Sequence, residues 1–154
     1  MRRFLASAAL VISACVTLRA EDSLSRYGVV DIKSCTTSIY IATVTMTMPP
    51  FVRKGSVYSS TYSAKVFPYF LFNEKGRIWM TVSDDDLRRA SKGQEILLSG
   101  YATSDSGDER RVAGKATPTG PTSGKIRVRV FVTRRISLVY DTTYELRGPP
   151  PTAK

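Results

Sequence analysis

Histidine is absent from this chain of 154 residues, and cysteine occurs only twice, as Cys15 and Cys35. Without histidine, the chain cannot form a Ser-His-Asp or Cys-His catalytic arrangement, or a zinc site with histidine ligands. Cys15 lies in an N-terminal segment that we expect to be removed or lipidated, which leaves one thiol and excludes a thiolate zinc site and an intramolecular disulfide. We expect Cys35 to be a small buried apolar residue; the alternatives are a redox site or a dimer link.

Carboxylate pairs or a Ser/Lys arrangement are the chemistry that remains for an enzyme. Asp141 and Glu145 are one such pair, four residues apart in a predicted strand. At about 3.3 Å per residue they would lie about 13 Å apart, too far to share acid and base roles. We therefore expect a protein without enzymatic activity, metal or cofactor, and keep a hydrolase that uses carboxylates as an alternative.

Long apolar runs are also lacking, since the run Phe4–Ile12 is too short to cross a bilayer as a mature helix. It follows two arginines and precedes small residues, as in an export signal. We therefore predict an export signal over residues 1–20 and a location in the periplasm, in the cell envelope or outside the cell. The sequence Ile-Ser-Ala-Cys ending at Cys15 resembles a bacterial lipobox, which implies lipidation of that cysteine and a membrane anchor. The alternatives are ordinary cleavage after Ala20, which releases a soluble protein, and a helix of the mature fold.

The chain that remains after removal of the export signal is long enough for one domain. Either cleavage leaves about 134 to 140 residues, enough to bury a core without disulfides. We predict a linker over residues 21–28, a single β domain over residues 29–147 and a proline-rich tail over residues 148–154.

The segment Lys125–Leu146 has the clearest regularity in the chain. Its even positions are almost all apolar or threonine, and most of its odd positions are polar or charged, which predicts a half-buried β-structure. A straight strand of this length would exceed the width of a small domain, so the segment must fold back. A three-residue loop, Thr133–Arg135, would keep the even residues on one face and pair Val132 with Ile136.

Several β-prone segments precede this hairpin. The main ones are Ser38–Met48, Val57–Phe72 with Pro68 inside it, and Arg77–Val82. Turn residues at Asn73–Gly76 predict a four-residue loop with Phe72 opposite Arg77. We interpret this as a central hairpin covered on both faces; an aromatic ligand platform containing Trp79 is the alternative.

The segment Ser83–Ala90 predicts the one short helix. Ser83 is placed to cap it, Asp86 holds the capping-box position, and Gly93 follows shortly after the last turn. The three adjacent aspartates lack the alternate spacing of calcium loops, so capping is the preferred interpretation.

A second hairpin, Gln94–Thr103 with Arg110–Thr117, carries few large side chains on one face. If Gly100 pairs with Gly114, that face is almost bare. A packed aromatic residue or the Ser83 helix would fill the space; a ligand cavity is the alternative.

The net charge of +10 is unevenly distributed, because residues 110–135 contain eight basic residues and no acidic one. Strand alternation places five of these bases on one outward side: Arg111, Lys115, Lys125, Arg127 and Arg129. We call these five the basic face, and predict that it binds an anionic lipid or glycan. An ordinary solvated surface is the alternative, since Asp141 would lie across from Arg127. Nucleic acid is disfavoured, because export would separate the protein from it.

These observations predict an all-β fold, a small antiparallel β-sandwich or partly open β-barrel of about seven or eight strands with one short helix. The function predicted is an exported, non-enzymatic binding or structural protein of the cell envelope. An OB-like module that binds oligosaccharide or nucleic acid is an alternative based on fold analogy.

Overall fold

The computed structural model describes residues 27–148; the predicted export signal, with Cys15, and nearly all of the predicted tail lie outside that range. The described range contains ten strands, one α-helix and one turn of 3₁₀ helix. The strands are β1 (Val29–Ile32), β2 (Cys35–Ile39), β3 (Ala42–Thr47), β4 (Phe51–Lys54), β5 (Val57–Phe67), β6 (Glu74–Thr81), β7 (Ile96–Ser104), β8 (Glu109–Pro118), β9 (Ser123–Phe131) and β10 (Ser137–Arg147). The helix α1 (Asp84–Ser91) joins β6 to β7, and the 3₁₀ turn is Phe70–Phe72.

The strands form a closed antiparallel barrel. β5 pairs with β4 through its first residues and with β3 through its last ones, so that β3 and β4 are two halves of one long strand. β1 and β2 are related in the same way, since β1 pairs with β4 and β2 with β3. The resulting eight long strands each pair with the next along the chain, and β1 pairs with β10 to close the ring. The predicted all-β antiparallel fold with one short helix is therefore confirmed, as a closed meander rather than a sandwich or a Greek key.

Alternation separates the two surfaces of the barrel. From β5 to β10 the even-numbered residues point inward and form most of the buried core, which includes Tyr58, Ile78, Val112 and Tyr140. The odd-numbered residues of these strands form the outer wall, which is mostly polar. This arrangement follows directly from the period of two along a strand.

One end of the barrel is closed by α1. Leu87 is buried on the barrel side of this helix, and the Ser83 hydroxyl accepts a hydrogen bond from the backbone N–H of Asp86 at 3.1 Å, so the predicted cap is confirmed. An ion pair between Arg53 and Asp84 joins the helix to β4. We call this the closed end; the described chain also begins and ends there, because β1 starts beside the last residues of β10. Within residues 27–148, no helix is long and apolar enough to cross a membrane.

The C-terminal hairpin has the predicted register. Val132 and Thr133 both donate backbone hydrogen bonds to the carbonyl of Ile136, and Arg127 lies opposite Asp141. The even-numbered residues face the core, where Tyr140 is fully buried. The prediction for this segment is confirmed in loop length, pairing and side-chain direction.

The single strand predicted over Ser38–Met48 is wrong. A tight turn at Tyr40 and Ile41 divides it into β2 and β3, which pair with each other. Tyr40 has a φ of 51°, in the left-handed region that tyrosine seldom adopts. The turn contains neither glycine nor proline, so its residue types gave no signal.

The four-residue loop predicted after Phe72 is also wrong. β5 ends at Phe67, Glu74 pairs with Ala64, and Arg77 pairs with Thr61. The residues between the strands, including the 3₁₀ turn, form a longer loop. Pro68 lacks the N–H that a further ladder position would need.

The glycine-rich hairpin is shifted by two residues from the predicted register. Gly100 pairs with Val112 and Gly114 with Leu98, because a tight turn at residues 105–108 replaces the six-residue loop. A shift of two preserves which side chains face inward. The predicted face of small residues is therefore present inside the barrel.

Candidate ligand-binding cavity

The barrel is hollow at the end opposite α1. A cavity of about 630 Å³ opens between the Tyr40–Ile41 turn and the loops that join β5 to β6, β7 to β8 and β9 to β10. We call this the open end. The space left among the core side chains near α1 is only about 70 Å³. One half of the barrel interior is therefore packed. The other half is the cavity that opens at the open end, which we call the cup.

The cup results from small side chains on the inward faces of the strands. Ala64 on β5 and Ala102 on β7 are buried in its wall and occupy little of the interior. The glycine-rich face contributes in two ways: Ala102 borders the cavity, whereas Ala116, at the other end of the same face, packs near Leu87 of α1. Two of the alternatives considered for the space beside this face were the helix and a cavity. Both are present: the helix covers the part near the closed end, and the cavity borders the part near the open end.

A charged pair lies inside the apolar cup. Glu74 and Arg110 both point inward, and their side chains are 23% and 18% exposed. Arg110 holds both carboxylate oxygens of Glu74 and donates a further hydrogen bond to the carbonyl of Val132 at 3.3 Å, while the Tyr62 hydroxyl donates to Glu74. Asp108 lies 4.0 Å from Arg110 at the edge of the group. We call Glu74, Arg110 and Tyr62 the polar cluster.

The polar cluster has shifted pKa values. Burial alone would raise the pKa of Glu74, but the hydrogen bonds from Arg110 and Tyr62 and the charge of Arg110 outweigh it, so this pKa is lowered. Burial and the bond to Glu74 raise the pKa of Tyr62. The cluster therefore presents a carboxylate, a guanidinium and a protonated hydroxyl at neutral pH.

Two further groups lie in the cavity wall or near it. The hydroxyl of Tyr140 is buried and has no hydrogen-bond partner among the described residues. Cys35, near Tyr140, is buried as predicted and forms no disulfide within residues 27–148. Burial raises the pKa of its thiol to about 11, which keeps it protonated and unreactive at neutral pH.

Part of the edge of the open end is apolar. Seven large hydrophobic side chains are exposed there, on the turn between β2 and β3, at the last residue of β5 and on the loop that follows it: Tyr40, Ile41, Phe67, Tyr69, Phe70, Leu71 and Phe72. We call them the apolar rim. Some of them, including Leu71 and Phe72, also border the cavity, whereas Phe67 and Phe70 do not.

The predicted basic face lies on the outside of β8 and β9, away from the cavity. The register places Lys115 beside Arg127 and Ala113 beside Arg129, so the five side chains share one stretch of outer wall. Two of them are neutralised by acids: Arg127 binds Asp141 at 2.6 Å, and Lys115 binds Glu95 at 2.9 Å.

The other three bases of the basic face have no ion pair among the described residues. The guanidinium of Arg111 lies 4.4 Å from the ring centre of Phe131. The other two bases without an ion pair are Lys125 and Arg129.

Trp79, considered as a ligand platform, also lies on the outer wall, where its ring is stacked on that of Tyr101 with the ring centres 4.9 Å apart.

The described residues contain no group of three Cys, Asp or Glu side chains placed to hold a metal ion. Of the carboxylates considered for catalysis, Asp141 is engaged by Arg127 on the outer wall, and Glu145 lies on the outer side of the same strand. The cavity and the pair of Asp141 and Glu145 are thus on opposite sides of the sheet.

Sequence reasoning missed the polar cluster. Glu74 was assigned to a turn, and Arg110 was counted only as part of the basic segment. A signal was available for Arg110, because it occupies an even position of a strand whose even residues include the core residues Val112 and Ala116. A charged residue at such a position predicts an inward charge with a partner.

Comparison of this chain with models of known protein families, with curated proteins and with solved structures finds no match.

Proposed function

We propose that this protein is a non-enzymatic binding protein that holds a small amphiphile inside its barrel, with an apolar tail in the cup and a polar head at the polar cluster. The observation that carries the proposal is the cavity of about 630 Å³, open at one end and bordered mainly by apolar side chains. Small-molecule sites have volumes of roughly 300 to 1,000 Å³, with apolar walls and a few polar groups. An eight-stranded barrel is wide enough to hold one small ligand.

The contrast between the two ends of the barrel supports this proposal. Near α1, side chains such as Leu98 and Ile126 leave almost no free space. A protein interior gains stability from close packing, and an unfilled apolar space forfeits those contacts. A ligand that fills the cup would restore them.

The polar cluster supports an amphiphile rather than a pure hydrocarbon. Glu74 and Arg110 are held in fixed positions by each other, by Tyr62 and by the carbonyl of Val132. Preorganised polar groups in an apolar site fix the orientation of a ligand. Because the cluster lies near the open end, the head group would face the solvent and the tail would pass Ala102, the cross-strand partner of Arg110, and point toward Ile78.

The protein acts, in this proposal, after export to the periplasm, the cell envelope or the outside of the cell. The basic and then apolar N-terminal sequence and the lipobox-like ending at Cys15 support export and a lipid anchor. The basic face is a second contact, for an anionic lipid or glycan, supported by Arg111, Lys125 and Arg129, which have no acidic partner among the described residues.

The test is titration with a fatty acid that carries an environment-sensitive fluorophore, with the emission increase reporting entry into an apolar site. Ala102→Phe adds a ring to the cup, whereas Ala113→Phe adds the same ring to the outer wall of the next strand. We expect Ala102→Phe to weaken binding at least about tenfold, because a ring that displaces two methylenes, at about 0.8 kcal/mol each, removes about 1.6 kcal/mol of binding free energy.

The matched control, Ala113→Phe, should bind the probe like the wild type. Circular dichroism and thermal unfolding verify that both variants are folded. The proposal is refuted if the wild type does not bind the probe, or if the two alanine variants bind it equally well.

A further inference from the structure

The apolar rim is an unusual surface for a chain with a polar outer wall. Leu71 is 98% exposed, Tyr40 93% and Ile41 79%. Isolated exposed apolar residues are common, but a contiguous set of large ones marks an interaction surface. The rim is therefore a candidate interaction surface.

The rim is a structured part of the fold. The loop from Phe67 to Phe72 is fixed where it leaves and rejoins the barrel, because the Asn73 side chain accepts a hydrogen bond from the backbone N–H of Val66 at 2.7 Å. Phe67 and Phe70 pack edge to face, with ring centres 5.8 Å apart. The Tyr40–Ile41 turn lies beside this loop, because β3 pairs with β5. The two loops present their side chains together around one half of the open end.

Basic residues accompany the rim. Lys65 lies on the outer wall of β5 shortly before the exposed loop, and Lys75 lies on the outer wall of β6 shortly after it. On the other side of the Tyr40–Ile41 turn, Arg134 and Arg135 are exposed in the loop from β9 to β10. The acidic side chains of the open end, Asp105, Asp108 and Glu109, lie on and beside the turn from β7 to β8, where the backbone N–H of Asp105 donates to the carbonyl of Lys75 at 2.9 Å. Apolar side chains at the tip with lysines just below them fit the boundary between acyl chains and anionic headgroups.

We propose that the open end docks on the surface of an anionic lipid bilayer through the apolar rim. The rim borders the cavity, so a bilayer in contact with it would extend the apolar interior of the cup into the acyl region. A protein partner on the same surface would cover the opening instead. The docking rests only on the rim and its charges; the passage of the ligand between bilayer and cup rests on the proposed function.

The first experiment measures binding to phosphatidylcholine vesicles with and without phosphatidylglycerol by co-sedimentation, with the protein in the form that its host produces. Phe67→Ser combined with Phe70→Ser removes two rim side chains that do not border the cavity. We expect this variant to lose at least about tenfold in partition to anionic vesicles, since burial of each apolar side chain contributes about that factor or more.

Leu97→Ser is the matched control, because Leu97 is 75% exposed but lies on the outer wall near the closed end. All variants share the same termini, so any binding by the N-terminal segment is common to them. Binding of Leu97→Ser should equal that of the wild type. Equal binding by the rim variant and the wild type would overturn the proposal, as would a wild type that does not bind anionic vesicles, which would leave a protein partner for the rim.

A second experiment locates the contact. With Trp79→Phe as background, Phe70→Trp places a single tryptophan in the rim and Leu97→Trp places one on the outer wall. Vesicles should shift the emission of the first to shorter wavelength and leave the second unchanged; the reverse result would overturn docking through the open end. The fatty-acid titration in the absence of vesicles separates the two proposals, because the rim double variant should bind that probe like the wild type.

Discussion

Glu74→Gln is the substitution that tests most sharply whether the polar cluster is a structured part of the cavity. It preserves the size of the side chain and removes the charge that faces Arg110. An exposed ion pair contributes about 0.2 to 1 kcal/mol, whereas breaking a buried one costs about 3 to 5 kcal/mol. The side chains here are 23% and 18% exposed. We therefore expect a loss of about 2 kcal/mol in the free energy of unfolding at neutral pH, between those limits.

The lowered pKa of Glu74 determines how the stability difference between the wild type and Glu74→Gln changes with pH. The pKa of Glu74 is lowered below its ordinary value of 4.5. The folded state therefore favours the carboxylate, and this stabilisation is fully present above the ordinary pKa and is lost as the pH falls through the lowered one. The difference in stability between the wild type and Glu74→Gln should accordingly shrink as the pH decreases below 4.5.

Urea unfolding followed by the fluorescence of Trp79, the single tryptophan, measures both quantities between neutral pH and about pH 3. Asp141→Asn is the control, because Asp141 pairs with Arg127 on the outer wall, where both side chains are 62% exposed. Its effect on stability should be much smaller than that of Glu74→Gln. If Glu74→Gln were as stable as the wild type at neutral pH, or if its deficit did not change in acid, the assignment of the polar cluster as a coupled, partly buried group would be wrong.

Two other predictions concern the outer wall and the core. Lys125→Glu with Arg129→Glu should strongly weaken retention on an anionic matrix at low salt while the thermal transition is preserved, because these bases have no acidic partner among the described residues; unchanged retention would eliminate the basic face as a binding surface. Cys35 should react with a thiol reagent at pH 8 only on unfolding, since burial raises the pKa of its thiol to about 11, and rapid labelling of the folded protein would contradict its place in the core.

The C-terminal hairpin could be predicted from the sequence because several local signals agree there. Alternation fixed the buried face, and only a loop with an odd number of residues preserved it on both sides of Thr133–Arg135. The helix was equally accessible, since its cap and the acids of its first turn lie within four residues. The structure of a segment can be predicted from its sequence when such local preferences agree.

The structure of the open end could not be predicted from the sequence, because tertiary contacts determine it. Phe70, Leu71 and Phe72 are β-prone, yet they leave the sheet and form the exposed loop. Gly76, predicted to be the last residue of a four-residue turn, lies instead within β6, where a Cβ would stand 2.1 Å from the carbonyl oxygen of Thr103 on β7. A glycine needed for close strand contact and a glycine needed for a turn look the same in a sequence.

The cavity could be anticipated only in part. Small residues on one face indicated free space, but whether a helix or a ligand fills it depends on the height in the barrel, which requires closure of the sheet. The pairing of Glu74 with Arg110 joins residues 36 positions apart on strands that are not neighbours. No local pattern encodes such a contact, because it follows from the register of β6, β7 and β8 together.

The measurement that tests the central claim most directly is a solution NMR experiment on the isotopically labelled protein with an unlabelled fatty acid. Intermolecular nuclear Overhauser effects report contacts between the acyl chain and individual methyl groups. The account predicts contacts with the inward methyl groups of Ala64, Ala102 and Val130, and none with the outward methyl group of Ala113. Contacts confined to the outer wall, or no contacts at saturating fatty acid, would contradict it.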